Sequence, residues 1–461
     1  MEKIAMVSLG CPKNRVDSEI ILGLLGESGY RITEDEEQAD IIIINTCTFI
    51  QQATDESIET ILEYAAFKDN GSCRLLIVAG CLTQRYREKL KQELPEVDLF
   101  VGTGEYRRIA DLIIDTKRTG RLLTADNMEY IYDHETPRLA TTPFYYSYVK
   151  IAEGCSNSCT FCIIPQLRGD YRSRDIYSIT EEVRKLADKG VKEFNIVAQD
   201  STAYGRDLDS PQTLENLLEN IVKIKKINWI RLLYCYPSLL TESLLDLIAA
   251  EKNILNYIDL PLQHIDDKIL KAMKRGSREG MVKDLVIKIK EKVPGVTIRS
   301  AFITGFPGEG EREFQNLYNF IKESEFDHLG IFKYSREDGT PAASMTGQVT
   351  EEVKEERYKK LMELQQEISL KNNMSKIGKT MKVLIEGYSE ETELLLQGRS
   401  VCQAPEIDGI TYINDGYAER GEIKDVLITE AHPYDLVGKI VVPVADDAIL
   451  HGGADRTILL P

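Results

Sequence analysis

Three cysteines fall within eight residues in the run Cys155-Ser156-Asn157-Ser158-Cys159-Thr160-Phe161-Cys162, a Cys-x3-Cys-x2-Cys spacing. Thiolates this close together suit metal. A loop that supplies only three ligands to a four-iron cube leaves one iron open to something other than protein. A structural zinc site would want a fourth Cys or His nearby, yet the nearest histidines in sequence are His134 and His264. The spacing therefore favours an iron-sulfur cluster over zinc or a grouping of small buried residues.

Cys11, Cys47 and Cys81 are far apart in sequence, but each directly follows a strand-like run: Ser8-Leu9-Gly10, Asn45-Thr46 and Ala79-Gly80. In a parallel sheet the C-terminal strand ends share one edge, where open α/β folds keep their ligand crevice. That shared placement predicts a second three-cysteine site. The competing reading is three isolated buried thiols, which is the reading we give to Cys73, Cys235 and Cys402.

The elements that must position these cysteines form an α/β chain. Strand candidates Ile4–Leu9, Ile41–Asn45, Leu75–Ala79 and Leu99–Val101 alternate with helical segments Val16–Ser28 and Thr54–Phe67, a parallel pattern. A polar stretch from Asp126 to Thr142, with Pro137 and then Pro143, reads as a linker. A second series follows at Tyr146–Ala152, Phe194–Ala198, Trp229–Tyr234, Tyr257–Leu260, Thr297–Ile303 and Leu329–Tyr334, separated by amphipathic helices such as Ile179–Lys189 and Asp284–Lys292. A parallel, barrel-like sheet with ligands at its strand C-termini is the economical solution. Thr350–Leu370 reads as a closing helix. From Met381 onward, short alternating runs at Val383–Ile385, Leu394–Leu396, Ile410–Ile413, Ile423–Ile428 and Ile440–Val444 read as a small antiparallel β-barrel. The expected domains are 1–137, 141–372 and 374–443, with a tail at 444–461.

A chain of 461 residues is long enough for two to four domains. Its net charge of -18 argues against a protein whose main task is gripping a phosphate backbone. The apolar stretch to Leu9 is too short for a secretory leader, and the longest apolar runs are strand-sized, so a cytoplasmic protein with no membrane association is expected. Nine cysteines without a secretory signal favour metal ligands and buried thiols over disulfides.

The Cys155-x3-Cys159-x2-Cys162 run, with Phe161 before its last cysteine, resembles the motif of the radical S-adenosylmethionine superfamily. Taken with Cys11, Cys47, Cys81 and the C-terminal barrel, the whole chain up to about Pro443 resembles the methylthiotransferases, which combine an N-terminal methylthiotransferase domain, a radical domain and a TRAM domain. Leu9-Gly10-Cys11-Pro12-Lys13-Asn14-Arg15-Val16-Asp17-Ser18-Glu19, the pair Arg168-Gly169 and Ala404-Pro405-Glu406-Ile407-Asp408-Gly409 are similar to the branch that modifies ribosomal protein S-twelve. The transfer-RNA branch usually reads Gly-Cys-Gln-Met-Asn at the first of these.

The resemblance implies a sulfur-group transferase with two 4Fe-4S clusters, one on each cysteine triad, and S-adenosylmethionine as cofactor. A carbon radical is what an unactivated C–H bond demands, since its proton is beyond a side-chain base. The implied product is a methylthio group on the β-carbon of an aspartyl residue of S-twelve, taken free or in the subunit. The implied electron source is a one-electron donor of flavodoxin or ferredoxin type. For S-adenosylmethionine itself, the strand-end residues Gln199, Asp200, Gln263 and Arg299 are candidates, Arg299 as a bidentate partner of a carboxylate. For each the competing role is a structural hydrogen bond, and His264 is expected to be structural. The alternative, a transfer-RNA methylthiotransferase acting near the anticodon, fits less well with the acidic residues Glu390, Glu391, Glu393, Glu406, Asp408, Asp415, Glu419 and Glu422 of the barrel segment. Nucleic acid is thus not expected to be the primary substrate.

Overall fold

A computed structural model describes residues 1–210 and 212–441. The expected tail at 444–461, the last two residues of the expected barrel domain at 374–443 and the end of the expected strand Ile440–Val444 lie outside the described residues. The chain divides into two compact units, one ending at Asn372 and the other beginning at Asn373.

The first unit opens with strands β1 (Lys3–Ser8), β2 (Arg31–Ile32), β3 (Ile41–Thr46), β4 (Leu75–Gly80), β5 (Leu99–Val101) and β6 (Leu122–Thr124). They form one parallel sheet in the order β2-β1-β3-β4-β5-β6. Every residue of β3 and β4 is buried, as the unbroken run Ile41-Ile42-Ile43-Ile44 requires of a strand covered on both faces. Alternate residues feed two cores, Ile41, Ile43, Ile77 and Ala79 on one face and Ile42, Ile44, Leu76 and Val78 on the other.

The same unit continues with β7 (Tyr146–Lys150), β8 (Ala152–Glu153), β9 (Arg172–Ser173), β10 (Glu193–Val197), β11 (Trp229–Leu232), β12 (Ile254–Gln263), β13 (Thr297–Thr304) and β14 (His328–Lys333). Six of these make a parallel sheet in the order β14-β13-β12-β11-β10-β7, and β8 pairs antiparallel with β9. Among the described residues β7 and β14 do not pair with each other, so the barrel is incomplete. The helix Glu351–Met374 sets Leu361, Leu364 and Ile368 into its core.

The boundary expected near residues 137–141 falls inside this unit, because ion pairs bolt the linker to both sides. Arg138 pairs with Glu19 of the helix Pro12–Glu27 and with Glu182 of the helix Ile176–Asp188. Glu19 also accepts from the Thr141 backbone N–H at 2.7 Å.

The second unit holds β15 (Thr380–Tyr388), β16 (Leu396–Ser400), β17 (Thr411–Asp415), β18 (Ile423–Ala431) and β19 (Leu436–Ile440), closed as a barrel in the order β15-β16-β17-β19-β18. Its core is Val383, Ile385, Leu396, Ile413, Val426, Ile428 and Leu436. Two expected strands shift. The second begins at Leu396 because Leu394 is 89% exposed, and the last runs Leu436–Ile440, where it closes the barrel by pairing parallel to β17. Among the described residues no helix is long and apolar enough to cross a membrane.

Candidate functional site

The structure brings Cys11, Cys47 and Cys81 together at the ends of β1, β3 and β4. Gly10, at φ +86°, makes the approach possible: a Cβ there would lie 2.7 Å from Cys47 Cβ and 3.0 Å from its Sγ. The turn is held by side-chain amides. Asn14 donates to the carbonyls of Leu9 at 2.7 Å and of Asn45 and Thr46 at 3.3 Å, and Asn45 returns a bond to the Asn14 carbonyl at 2.9 Å. Ser57 clamps Cys47, accepting from its N–H at 3.1 Å and donating to its carbonyl at 2.8 Å. Burial, then the Cys81 and Cys11 thiols, pushes Cys47 up to about 12. Burial likewise raises Cys81, and buried thiols that resist ionising are a set that a cationic metal centre would relieve.

Cys155, Cys159 and Cys162 lie on the loop after β8. Gly154, at φ +77°, lets this loop pass against the next: an added Cβ would sit 2.1 Å from the Asp170 carbonyl. Cys155 N–H donates to Gly169 O at 3.1 Å, and Thr160 is held by Met273 O at 3.1 Å and Ala272 O at 2.8 Å. Phe161 packs against the cluster of Ile269, Met273, Phe306 and Tyr334. Cys162 is pushed up to about 12 by burial first, with Cys159 and Cys155 adding to it and the Ile164 N–H working against it. Arg275, stacked 4.0 Å over Tyr236, points a guanidinium nitrogen at Cys159 Sγ from 3.7 Å. Both triads therefore combine converging thiols with a nearby guanidinium. Among the described residues no group of three Cys, His, Asp or Glu side chains is drawn in as for a single ion, and a four-iron cube spreads its ligands over separate irons.

The two triads are neighbours. Cys81 packs directly on Ile163 and Leu167, the residues just beyond Cys162. Between them lies a buried charge set that sequence reasoning missed: Asp17, Lys150, Glu153 and Arg168, all under 8% exposed. Arg168 donates to Asp17 at 2.7 Å, to Glu153 at 3.1 Å and to Asn14 at 3.1 Å, and reaches Cys81 Sγ at 3.6 Å. Lys150 bridges Asp17 and Glu153. In a medium of low dielectric such pairs orient their partners strongly. One signal was present in the sequence: Lys150 ends an otherwise uncharged strand run, Tyr146-Ser147-Tyr148-Val149, and a charge there needs a partner.

The residues proposed for S-adenosylmethionine take varied positions. Gln199 follows β10 and donates to Glu153 at 3.0 Å, while its Oε1 is buried without a partner. Asp200 accepts from Asn157, inside the second triad's loop, at 2.9 Å, and from Thr202 at 2.7 Å. Gln263 ends β12 at φ +71°, where the register with β13 shifts. Arg299 lies within β13 and pairs with Asp259 at 3.3 Å. His264 is fully buried, with Glu309 at 3.2 Å on one ring nitrogen and the Asp266 N–H at 3.0 Å on the other, a structural arrangement.

Three families match the chain in order: the uncharacterised protein family UPF0004 over residues 3–102, the Radical SAM superfamily over 149–321 and the TRAM domain over 377–441. The first span contains Cys11, Cys47 and Cys81, the second Cys155, Cys159 and Cys162. A ribosomal protein uS12 methylthiotransferase RimO of Geobacter sulfurreducens is 52% identical over 441 residues, covering 95% of this chain and 99% of its own. The chain belongs to the RimO family. A second RimO, from Citrifermentans bemidjiense, is 51% identical over 95% of this chain and 98% of its own. RimO-like sequence therefore runs through both triads and the barrel. Among solved structures, the radical S-adenosylmethionine methyltransferase TsrM of Kitasatospora setae, with cobalamin and a [4Fe-4S] cluster bound, aligns at TM-score 0.55 and 15% identity over 74% of this chain and 77% of its own. At that identity TsrM and this RimO-family chain share a fold.

Proposed function

We infer that this protein is a radical S-adenosylmethionine methylthiotransferase that replaces a hydrogen on the β-carbon of an aspartyl residue of ribosomal protein uS12 with a methylthio group. The observation that carries this is 51–52% identity to RimO relatives across 95% of the chain. Its cofactors are S-adenosylmethionine and two 4Fe-4S clusters.

Cys155, Cys159 and Cys162 would hold the cluster that binds S-adenosylmethionine, and Cys11, Cys47 and Cys81 the second. In support, the first triad gathers at strand ends and the second on the loop after β8, and each keeps a guanidinium near one sulfur, Arg275 at Cys159 and Arg168 at Cys81. When bound, the cofactors supply a carbon radical that takes the hydrogen and a methylated sulfur that replaces it. The chain's own part is placement. Asn157 and Asp200 tie the second triad's loop to the end of β10, while Asp17, Lys150, Glu153 and Arg168 register one triad against the other. Gln199, Asp200, Gln263 and Arg299 remain our candidates for contacts to S-adenosylmethionine. Gln199 has the best case, since its buried Oε1 lacks a partner.

We further propose a one-electron donor of flavodoxin or ferredoxin type and a cytoplasmic location, where reduced thiols persist. The transfer-RNA alternative is disfavoured by the RimO identity and by the acidic barrel. Mass spectrometry of uS12 and of transfer RNA after anaerobic incubation with the reconstituted protein is the test. The expected result is a methylthio group on one aspartyl residue of uS12. Modified transfer RNA with unchanged uS12 would overturn the substrate.

A further inference from the structure

Lys13, in the first turn of the helix Pro12–Glu27 and two residues past Cys11, is only 8% exposed. Its Nζ stands 3.2 Å from the centre of the Tyr234 ring. Tyr234 follows β11 on the other side of the site, in a left-handed conformation at φ +61°, fixed by its N–H donating to Asp259 at 2.9 Å. Lys13 thus spans from the first triad's helix to the strand ends of the radical sheet.

Other buried cations in this unit have carboxylate partners. Lys150 has Asp17 and Glu153, Lys354 has Glu351, Arg174 has Glu182 and Arg231 has Glu193. Lys13 differs: among the described residues its ammonium meets an aromatic face and no carboxylate pairs with it. The Tyr234 side chain and the Cys11 sulfur favour the charged form of this ammonium against its burial, but an ammonium has three donors, and no carboxylate meets them among the described residues. That leaves the ammonium able to take a carboxylate from outside the chain.

The reaction itself brings one. An aspartyl side chain carries its carboxylate one bond from the β-carbon, so a cation that holds the carboxylate also places the reacting carbon. Lys13 lies two residues past Cys11 of the first triad and sets its ammonium over Tyr234, just beyond a strand of the radical sheet. We propose that Lys13 receives the side-chain carboxylate of the substrate aspartyl residue, selecting it over asparagine and holding its β-carbon between the two triads. The proposal rests on the uS12 reading above.

The test uses the full-length protein, anaerobically loaded and without reductant, so that binding is measured apart from turnover. Affinities are compared for uS12 and for uS12 with the target Asp→Asn. We expect the wild-type protein to favour the aspartyl form, and Lys13→Gln and Lys13→Met each to weaken it by about 10- to 100-fold and to erase the preference. Lys13→Arg should retain part of it. Iron content and reductive cleavage of S-adenosylmethionine should stay at wild-type level in all three. A preference for aspartate that persists in Lys13→Met overturns the proposal. So does loss of iron in all three variants, which would assign the ammonium to the thiolates of the first triad. If wild-type protein cleaves S-adenosylmethionine yet neither binds nor modifies uS12, the uS12 reading itself fails and takes this proposal with it.

Discussion

Arg168 Nη1 lies 2.7 Å from Asp17 Oδ2, with both side chains almost fully removed from solvent. One residue belongs to the segment after the second cysteine triad and the other to the helix after Cys11. Removing one member of a buried ion pair costs about 3–5 kcal/mol where the other charge is stranded, and less here, because Asp17 and Glu153 keep Lys150 as a partner. Arg168→Gln should therefore lower the unfolding free energy of the apo protein by up to about 3 kcal/mol, read as a lower denaturation midpoint. Because Arg168 also reaches Cys81, iron held by the first triad should fall more than iron held by the second. A variant with an unchanged midpoint would show that the pair is not coupled to folding.

Cluster assignment can be checked by metal analysis. Replacing Cys11, Cys47 and Cys81 together with alanine should lower iron from about eight to about four per chain and leave reductive cleavage of S-adenosylmethionine intact. The same change at Cys155, Cys159 and Cys162 should also halve the iron but abolish cleavage. Iron that stays near its starting value in either variant would sink the assignment.

Gly154→Ala tests the backbone of the radical loop. A methyl group there would meet the Asp170 carbonyl at 2.1 Å in a conformation with φ +77°, and a left-handed non-glycine residue alone costs roughly 1–2 kcal/mol. The loop should shift, with loss of the cluster absorbance contributed by Cys155, Cys159 and Cys162. Gly120→Ala is the control, since it shares a positive φ of +85° but has open space around it.

Glu182 predicts a pH dependence. Burial works to raise its carboxyl pKa, and Arg174 and Arg138 outweigh it, holding the group below its ordinary 4.5. A carboxylate depressed in the folded state stabilises fully above the unfolded value, and that contribution is lost as pH falls through the folded value. Denaturation of the apo protein at pH values below about 4.5 should lose stability with a slope that Glu182→Gln reduces. Equal slopes in the two proteins would remove Glu182 from the account.

The strands that carry the cysteines were legible because they are continuous apolar runs. Ile41–Ile44 and Leu75–Val78 have one reading as covered parallel strands, and that reading puts Cys47 and Cys81 at one edge. The strands β2, β6, β8 and β9 are two or three residues long and carry no periodicity to detect. The charge set was hidden for a different reason. On the helix Pro12–Glu27, Lys13, Asn14, Asp17, Ser18 and Glu19 are polar, yet all are buried, because that face is turned toward the second sheet and its linker. A single sequence does not reveal that a polar helix face has polar partners 119 to 154 residues away. The barrel strands slipped by a few residues because their runs alternate only briefly, and pairing with β17 rather than local pattern decides where β19 lies.

The pairing of Asp17 and Asn14 with Arg168 constrains how such a protein can arise by recombination. A gene fragment that carried the first three cysteines onto a different radical enzyme would arrive with an acid, Asp17, and an amide, Asn14, shaped for an arginine the new host lacks. The sulfur-handling half and the radical half must therefore be inherited as a matched set, and their shared ancestry should be traceable in residues that never touch substrate.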